Sequence, residues 1–310
     1  MKIYVAGHRG LVGSALVRAI EQTGEHTWIG QTRQELNLLD RHAVFAFVKK
    51  EKPDWVIIAA AKVGGIHANS TYPVDFLSEN LQIETNIIDA CHAANTERVL
   101  FLGSSCIYPK NCPQPIKEEY LLTGPLEPTN EAYALAKISG LKLIEAYRKQ
   151  YGHNWISAMP TNLYGPGDNF DLQNSHVLPA LIRKFHEAQI LGLPNVKLWG
   201  TGNPRREFLH ADDLAAACLH LLENYSGEVA LNIGTGSDLS ISELAAMVAE
   251  ITGFRGETIW DSGNPDGTLR KLLDNARISE TGWKPTINLL DGVRETFNWY
   301  KHSQIESGTM

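Results

Sequence analysis

Apolar residues fall along the first half of the chain in two interleaved patterns. Short, nearly unbroken apolar runs occupy residues 2–6, 27–30, 54–60, 98–103 and 155–159. A half-exposed strand alternates apolar and polar positions, whereas a strand covered on both faces of a parallel sheet is apolar throughout. Between these runs lie longer amphipathic segments, residues 12–21, 41–51, 76–94 and 132–150. Strands alternating with helices of this length predict stacked βαβ units. The fold class is α/β, with a doubly wound Rossmann-type parallel sheet.

The rhythm changes after Tyr164. Gly165-Pro166-Gly167 breaks the pattern and a polar stretch, 168–175, follows. Helical periodicity returns at 178–187, 212–223, 242–251 and 291–301, with short strand-like runs among them. One such run, 229–233, ends in Gly234-Thr235-Gly236 and is a candidate to rejoin the large sheet. The expected organisation is a Rossmann domain over 1–165, rejoined by about 205–237. A smaller mixed α/β domain over 166–310 is interleaved with it, and the polar tail from Ser303 is expected to fray.

The first strand runs into Gly7-His8-Arg9-Gly10-Leu11-Val12-Gly13. Glycines after a strand and at the start of a helix fit a dinucleotide-binding turn. The first permits the turn, the second lets backbone approach a pyrophosphate, and the third lets helix pack on strand. The spacing is GxxGxxG rather than GxGxxG. At the end of the second strand stands Gly30-Gln31-Thr32-Arg33, without the acid that holds an unphosphorylated ribose. Arg33, with Arg9, offers bidentate donors to a 2′-phosphate, so NADPH is expected over NADH.

Composition narrows the class. The chain has 310 residues, enough for about two domains, and its 43% hydrophobic and 20% charged content is that of an ordinary globular protein. The net charge is −7 with no basic tract, which argues against nucleic acid or an anionic membrane as partner. No apolar run reaches the ~18 residues of a membrane span, and no signal-peptide pattern opens the chain. The four cysteines, Cys91, Cys106, Cys112 and Cys218, lack CxxC spacing. A soluble cytoplasmic protein without a metal site is expected.

Tyr133-Ala134-Leu135-Ala136-Lys137 places a phenol and an ammonium one helical turn apart on one face. A free tyrosine titrates near 10, too high for efficient proton transfer at neutral pH, and a neighbouring cation lowers it. The fourth strand ends in Gly103-Ser104-Ser105-Cys106, which can bring a serine hydroxyl to the same place.

Together these features resemble the extended short-chain dehydrogenase/reductase superfamily over nearly the whole chain. Narrower segments are similar to its GDP-L-fucose synthase family: Ala59 to Ile66, Gly103 to Pro109, Leu126 to Glu131, Met159 to Pro166, Asn174-Ser175-His176-Val177 and Arg206 to His210. The resemblance implies a bifunctional enzyme that epimerises GDP-4-keto-6-deoxy-D-mannose at C3 and C5 and then reduces C4 with NADPH. The implied catalytic residues are Ser104, Cys106, Tyr133, Lys137 and His176. Cys106 and His176 exchange protons at C3 and C5, with acid and base unassigned between them. Tyr133 donates to the C4 oxygen, Lys137 supports it, and Ser104 bonds the oxyanion.

The implied cofactor set is Gly7, Arg9, Gly10, Leu11, Val12, Gly13, Arg33, Leu39, Asp40, Ala60, Ala61, Lys62, Gly103, Ser104, Ser105, Tyr133, Lys137, Pro160, Thr161, Asn162, Leu163 and His176. Lys184, Trp199, Arg206 and Asp266 are implied for the GDP-sugar, with Arg270 and Lys271 as looser candidates. A homodimer through the helices at 76–94 and 132–150 is also implied. Two rivals keep the fold: a nucleotide-sugar 4-epimerase, which resemblance gives an acid where Arg33 stands, and a 4,6-dehydratase, which it gives an Asp-Glu pair where Ser105-Cys106 stand. A non-catalytic NADP-sensing protein would tend to lose Tyr133 and Lys137.

Overall fold

The computed structural model describes residues 1–263 and 267–306. In chain order the first elements are β1 (Lys2–Ala6), α1 (Leu11–Thr23), β2 (Thr27–Ile29), α2 (Arg41–Glu51), β3 (Trp55–Ile58), α3 (Ile66–Thr71) and α4 (Pro73–Ala93). Then come β4 (Arg98–Leu102), α5 (Glu131–Tyr151), β5 (Ile156–Pro160), β6 (Asn162–Tyr164), α6 (Val177–Ile190), β7 (Asn195–Trp199), β8 (Arg205–His210) and α7 (Ala211–Asn224). The chain continues with β9 (Leu231–Ile233), β10 (Asp238–Ser240), α8 (Ile241–Thr252), β11 (Glu257–Asp261), β12 (Arg270–Lys271), α9 (Ala276–Glu280) and α10 (Leu289–Glu306).

The large sheet has six strands in the order β2-β1-β3-β4-β5-β9, all parallel. β3, β4 and β5 are buried at every position, as unbroken apolar runs require. The chain steps outward from β1 to β2, then returns to the other side of β1 for β3. Ligands of doubly wound sheets bind beyond the carboxyl ends of the strands at such a reversal. On one face α1 and α7 cover a core that includes Leu16, Ile57, Leu100 and Leu214; on the other α2, α4 and α5 cover Tyr4, Val56, Phe101 and Ile144.

A four-stranded sheet, with β8 flanked by β10 and β12 and also paired with β6, and a two-stranded β11-β7 sheet complete the fold. α6, α8 and α10 pack there around Phe185, Leu244, Val248 and Phe297. The alternation of residues gave no warning of β6, β8, β10 or β12: three of them are only two or three residues long, and β8 opens on two arginines and a glutamate rather than an apolar run. Thr161 marks the passage from one sheet to the other: its N–H donates to the Ile233 carbonyl at 3.0 Å and its hydroxyl to the Glu207 carbonyl at 3.3 Å. Glu207, wholly buried, accepts from the Gly236 and Leu273 backbone N–H groups at 2.6 and 3.1 Å. One carboxylate thus ties β8 to the segments after β9 and β12.

α4 and α5 pack without spare room at Gly140. A Cβ at Gly140 would lie 2.4 Å from Phe101 Cζ and 2.7 Å from Glu84 Oε2. Glycine inside a helix is a poor helix former, and close packing explains it here. Gly140→Ala is expected to destabilise the protein by about 1–3 kcal/mol; a thermal unfolding midpoint equal to or above that of the parent would contradict this packing.

Candidate active site

The turn after β1 is built as its glycines predict. Gly7 has a φ of +87°, and a Cβ there would come within 2.9 Å of Ala60. The Gly10 N–H donates to the Gly7 carbonyl at 3.0 Å, and a Cβ on Gly13 would sit 2.0 Å from that same oxygen. α1 begins after Gly10 without a side-chain cap and without an acid in its first turn. Its first N–H groups and the positive end of its dipole are therefore available to an anion. A dinucleotide phosphate fits this cradle.

Other expected cofactor residues surround it. Ala60 and Ala61 follow β3, Ala60 against Gly7; Gly103 follows β4, Pro160 ends β5, Thr161 follows it, and Asn162 and Leu163 open β6. Arg9 and Arg33 are exposed beside the end of β2. Glu35 stands near them, its carboxylate accepting from the Thr32 N–H and hydroxyl at 2.8 Å, bonds that hold it below the usual carboxylate range. Leu39 and Asp40 lie at the start of α2, where the Asp40 carboxylate accepts the Ala43 N–H at 3.1 Å and caps the helix. The Lys62 ammonium turns to Asp75 and Glu79 on α4, at 2.6 and 3.0 Å, and these bonds raise its pKa. Its backbone is pinned by buried Asn80, whose amide accepts the Lys62 N–H and donates to the Lys62 carbonyl.

Ser104, Cys106, Tyr133 and Lys137, four of the five expected catalytic residues, converge at the end of β4 and the start of α5. Ser104 caps a short turn, its hydroxyl accepting the Cys106 N–H at 3.4 Å. Burial pushes the Cys106 thiol up, against the pull of Lys271, Ser104 and Lys137. Burial, with Cys106 and Glu84 nearby, also pushes Tyr133 well up. Lys137 lies inside the protein, its Nζ 3.0 Å from Glu84 Oε1 on α4, 4.8 Å from the centre of the Phe101 ring and 5.9 Å from that of Tyr133. His176 precedes α6 as an exposed residue, and the protein packed around it lowers its pKa. Tyr133 and Lys271 are likewise surrounded yet partly accessible, as side chains lining a cleft are.

The expected substrate residues separate into groups. Lys271, on β12, faces Cys106, with Arg206 of β8 close by. Lys184 on α6 points to the Lys197 carbonyl of β7 at 3.4 Å, and burial lowers its pKa. Trp199 ends β7 with 66% of its surface exposed. Arg270 is committed elsewhere: its guanidinium pairs with Asp238, which also holds Arg205 at 2.9 Å. Asp266 lies outside the described residues.

The family model of the NAD dependent epimerase/dehydratase family matches residues 3–234. The chain belongs to that family. It is 56% identical over 307 residues to "Probable GDP-L-fucose synthase 1" of Oryza sativa subsp. japonica, covering 99% of this chain and 94% of that protein. It is 52% identical over 313 residues to "GDP-L-fucose synthase" of Escherichia coli (strain K12), covering 98% and 97%. A crystal structure of a GDP-L-fucose synthetase from Naegleria fowleri bound to NADP superposes with a TM-score of 0.90 at 28% identity, covering 99% and 95%. The resemblance read from the motifs is thus met along the full length of the chain.

Two features escape the motifs. Glu84 is a charged residue within an apolar helix face bearing Asn80, Ile87, Ile88 and Cys91, and that misplaced charge was its available signal. Lys271, opposite Arg206 in the pairing of β12 with β8, comes within electrostatic reach of Cys106, more than 160 residues away along the chain. The glycine cradle gives a direct expectation: Gly13→Ala lowers dinucleotide affinity by about tenfold or more, since a clash of this kind costs on the order of 1–3 kcal/mol. Cofactor fluorescence titration of the folded variant checks it, and undiminished affinity would remove the turn from the site.

Proposed function

We propose that this protein is an NADPH-dependent epimerase-reductase that converts GDP-4-keto-6-deoxy-D-mannose to GDP-L-fucose. The observation that carries the reading is the setting of Tyr133: the Lys137 ammonium lies 5.9 Å from the centre of its ring for carbonyl reduction, and Cys106 is within electrostatic reach of it for proton exchange. The near full-length likeness to GDP-L-fucose synthases supports it.

The C4 ketone makes the protons at C3 and C5 acidic through an enolate, and inversion takes a proton from one face and returns one to the other. Cys106 rests as a thiol because burial raises it, and the protein packed around His176 lowers the pKa of its imidazole even though the residue is exposed. The pair therefore holds one donor and one acceptor near neutral pH, and each inversion exchanges their protonation states. Ser104 and the Tyr133 hydroxyl bond the C4 oxygen as charge develops there. The first turn of α1, Arg9 and Arg33 hold the dinucleotide phosphates, and Arg206 and Lys271 meet the sugar diphosphate. NADPH, when bound, supplies the hydride for C4. Tyr133 supplies the proton to its oxygen.

Among the described residues no helix is long and apolar enough to cross a membrane. The four cysteines are free, which supports a cytoplasmic setting. We place a homodimer contact on the outer surface of α4 and α5, where Leu135 and Tyr151 are 41% and 52% exposed.

Purified protein given GDP-4-keto-6-deoxymannose is expected to consume NADPH and yield GDP-L-fucose, followed by cofactor absorbance and product stereochemistry; no NADPH consumption overturns the reading. Tyr133→Phe is expected to lower reduction by about 100-fold or more while leaving exchange of the C3 and C5 protons with solvent measurable. Cys106→Ser is expected to abolish formation of the fucose stereochemistry, and full turnover to fucose in that variant would refute the acid–base role of the thiol. Epimerisation should lose rate at acid pH only once His176 is protonated, below the ordinary histidine value, since its pKa is lowered. Arg33→Ala is expected to narrow the preference for NADPH over NADH by about tenfold, read from the ratio of kcat/KM values.

A further inference from the structure

The family motifs use Tyr133 and Lys137 but leave Glu84 without a task. Its side chain is 2% exposed, and neither carboxylate oxygen has a hydroxyl or amide donor among the described residues. A carboxylate held this way is costly unless a counter-charge meets it. Lys137 Nζ, 3.0 Å away, is that counter-charge. Gly140 leaves room for the approach, since any side chain there would collide with Glu84 Oε2.

Reduction and oxidation ask opposite things of Tyr133. An enzyme that begins by withdrawing a proton from an alcohol needs a phenolate. One that begins from a ketone needs a phenol: the hydroxyl proton goes to the C4 oxygen, the hydride supplied by the dinucleotide goes to C4, and the products are the alcohol, the Tyr133 phenolate and oxidised dinucleotide. A lone buried ammonium beside Tyr133 would favour the phenolate. Glu84 removes that bias. Whichever of Glu84 and Lys137 holds the proton they share, the pair has no net charge.

The charged and titratable groups facing Tyr133 are Lys137 on its own helix, Glu84 from α4 and Cys106 from the turn after β4. Lys271 faces Cys106 from β12. The Phe76 ring meets Tyr133 edge-on at 6.3 Å and adds no charge.

We propose that Glu84 is a positioning residue for the reduction, neutralising and orienting Lys137 so that Tyr133 rests as a proton donor. The proposal rests on the reductase reading above, because only a reaction that starts from the carbonyl needs the phenol form. Burial raising Glu84, with Lys137 opposing, accords with a carboxylate held by a single partner.

The test is an ultraviolet titration of phenolate in the protein without cofactor, taking the difference between each background and the same background carrying Tyr133→Phe. Glu84→Gln is expected to move the Tyr133 titration down by about one pH unit or more, a tenfold rise in phenolate at a given pH. Lys137→Met moves it up. The double variant Glu84→Gln/Lys137→Met returns close to the parent, because the pair is removed as a neutral unit. Glu84→Asp retains the parent titration. With GDP-4-keto-6-deoxymannose and NADPH, the alkaline limb of the rate should shift down with Glu84→Gln by the same amount.

A purely structural Glu84 would lower the unfolding temperature and leave the titration where it was, and an unmoved or raised titration in folded Glu84→Gln overturns the proposal. If that variant does not fold, the double variant decides: a titration displaced by more than about one unit from the parent refutes the neutral pair. Failure of the parent to consume NADPH would instead sink the proposed function, while the cofactor-free titration still reports on Glu84.

Discussion

The Glu84–Lys137 ion pair is the contact on which the reacting side of the molecule depends. Two ions removed from water cost several kcal/mol each, and only close approach and good geometry recover it. The protein meets that demand with Gly140, which lets α4 and α5 approach, and with the Phe101 ring, which lies under the ammonium. The same pair fixes where Lys137 stands along α5 and hence where Tyr133, one turn earlier, presents its hydroxyl. Removing either partner would leave a buried charge without compensation, a change of about 3–5 kcal/mol in comparable cases. Catalytic geometry and helix packing are here one constraint.

A second carboxylate performs a related task on the substrate side. Glu207 holds backbone N–H groups from two separate segments while its own carbonyl receives Thr161 and Asn162. Those segments include the strand that carries Lys271 toward Cys106. Two buried acids thus hold the framework on either side: Glu84 pairs with Lys137, and Glu207 fixes the backbone just after β12. Both acids are raised by burial, the expected result of trading water for a few fixed donors.

Much of this was legible in the amino-acid order. The apolar runs marked the strands at 2–6, 27–30, 54–60, 98–103 and 155–159; four of them are buried on both faces, which leaves little choice of residue, while β2 is a half-buried edge strand. The Gly7, Gly10 and Gly13 spacing described a turn whose steric reasons the coordinates display directly. Tyr133 and Lys137 shared a helix face as their spacing required. Less was legible where function depends on partners far along the chain. Arg270 read as a cation for a diphosphate, yet Asp238 engages it; Lys62 read as a cofactor contact, yet its ammonium goes to Asp75 and Glu79. A sequence displays charge but not which opposite charge the fold brings to it.

The chain by itself determined the parallel doubly wound sheet, the glycine turn at its edge and the Tyr-Lys pair. Each follows from local rules: burial on two faces, the space a Cβ needs, and the 3.6-residue turn of a helix. Only the tertiary structure decided that Glu84 meets Lys137, that Lys271 comes within electrostatic reach of Cys106, and that Glu207 binds the two sheets together. Those contacts join segments whose separation depends on the path of intervening loops and on the register of β8 with its neighbours. Hydrogen bonds and close ion pairs require partners within about 3–4 Å, so those partners become known only when the whole chain is in place.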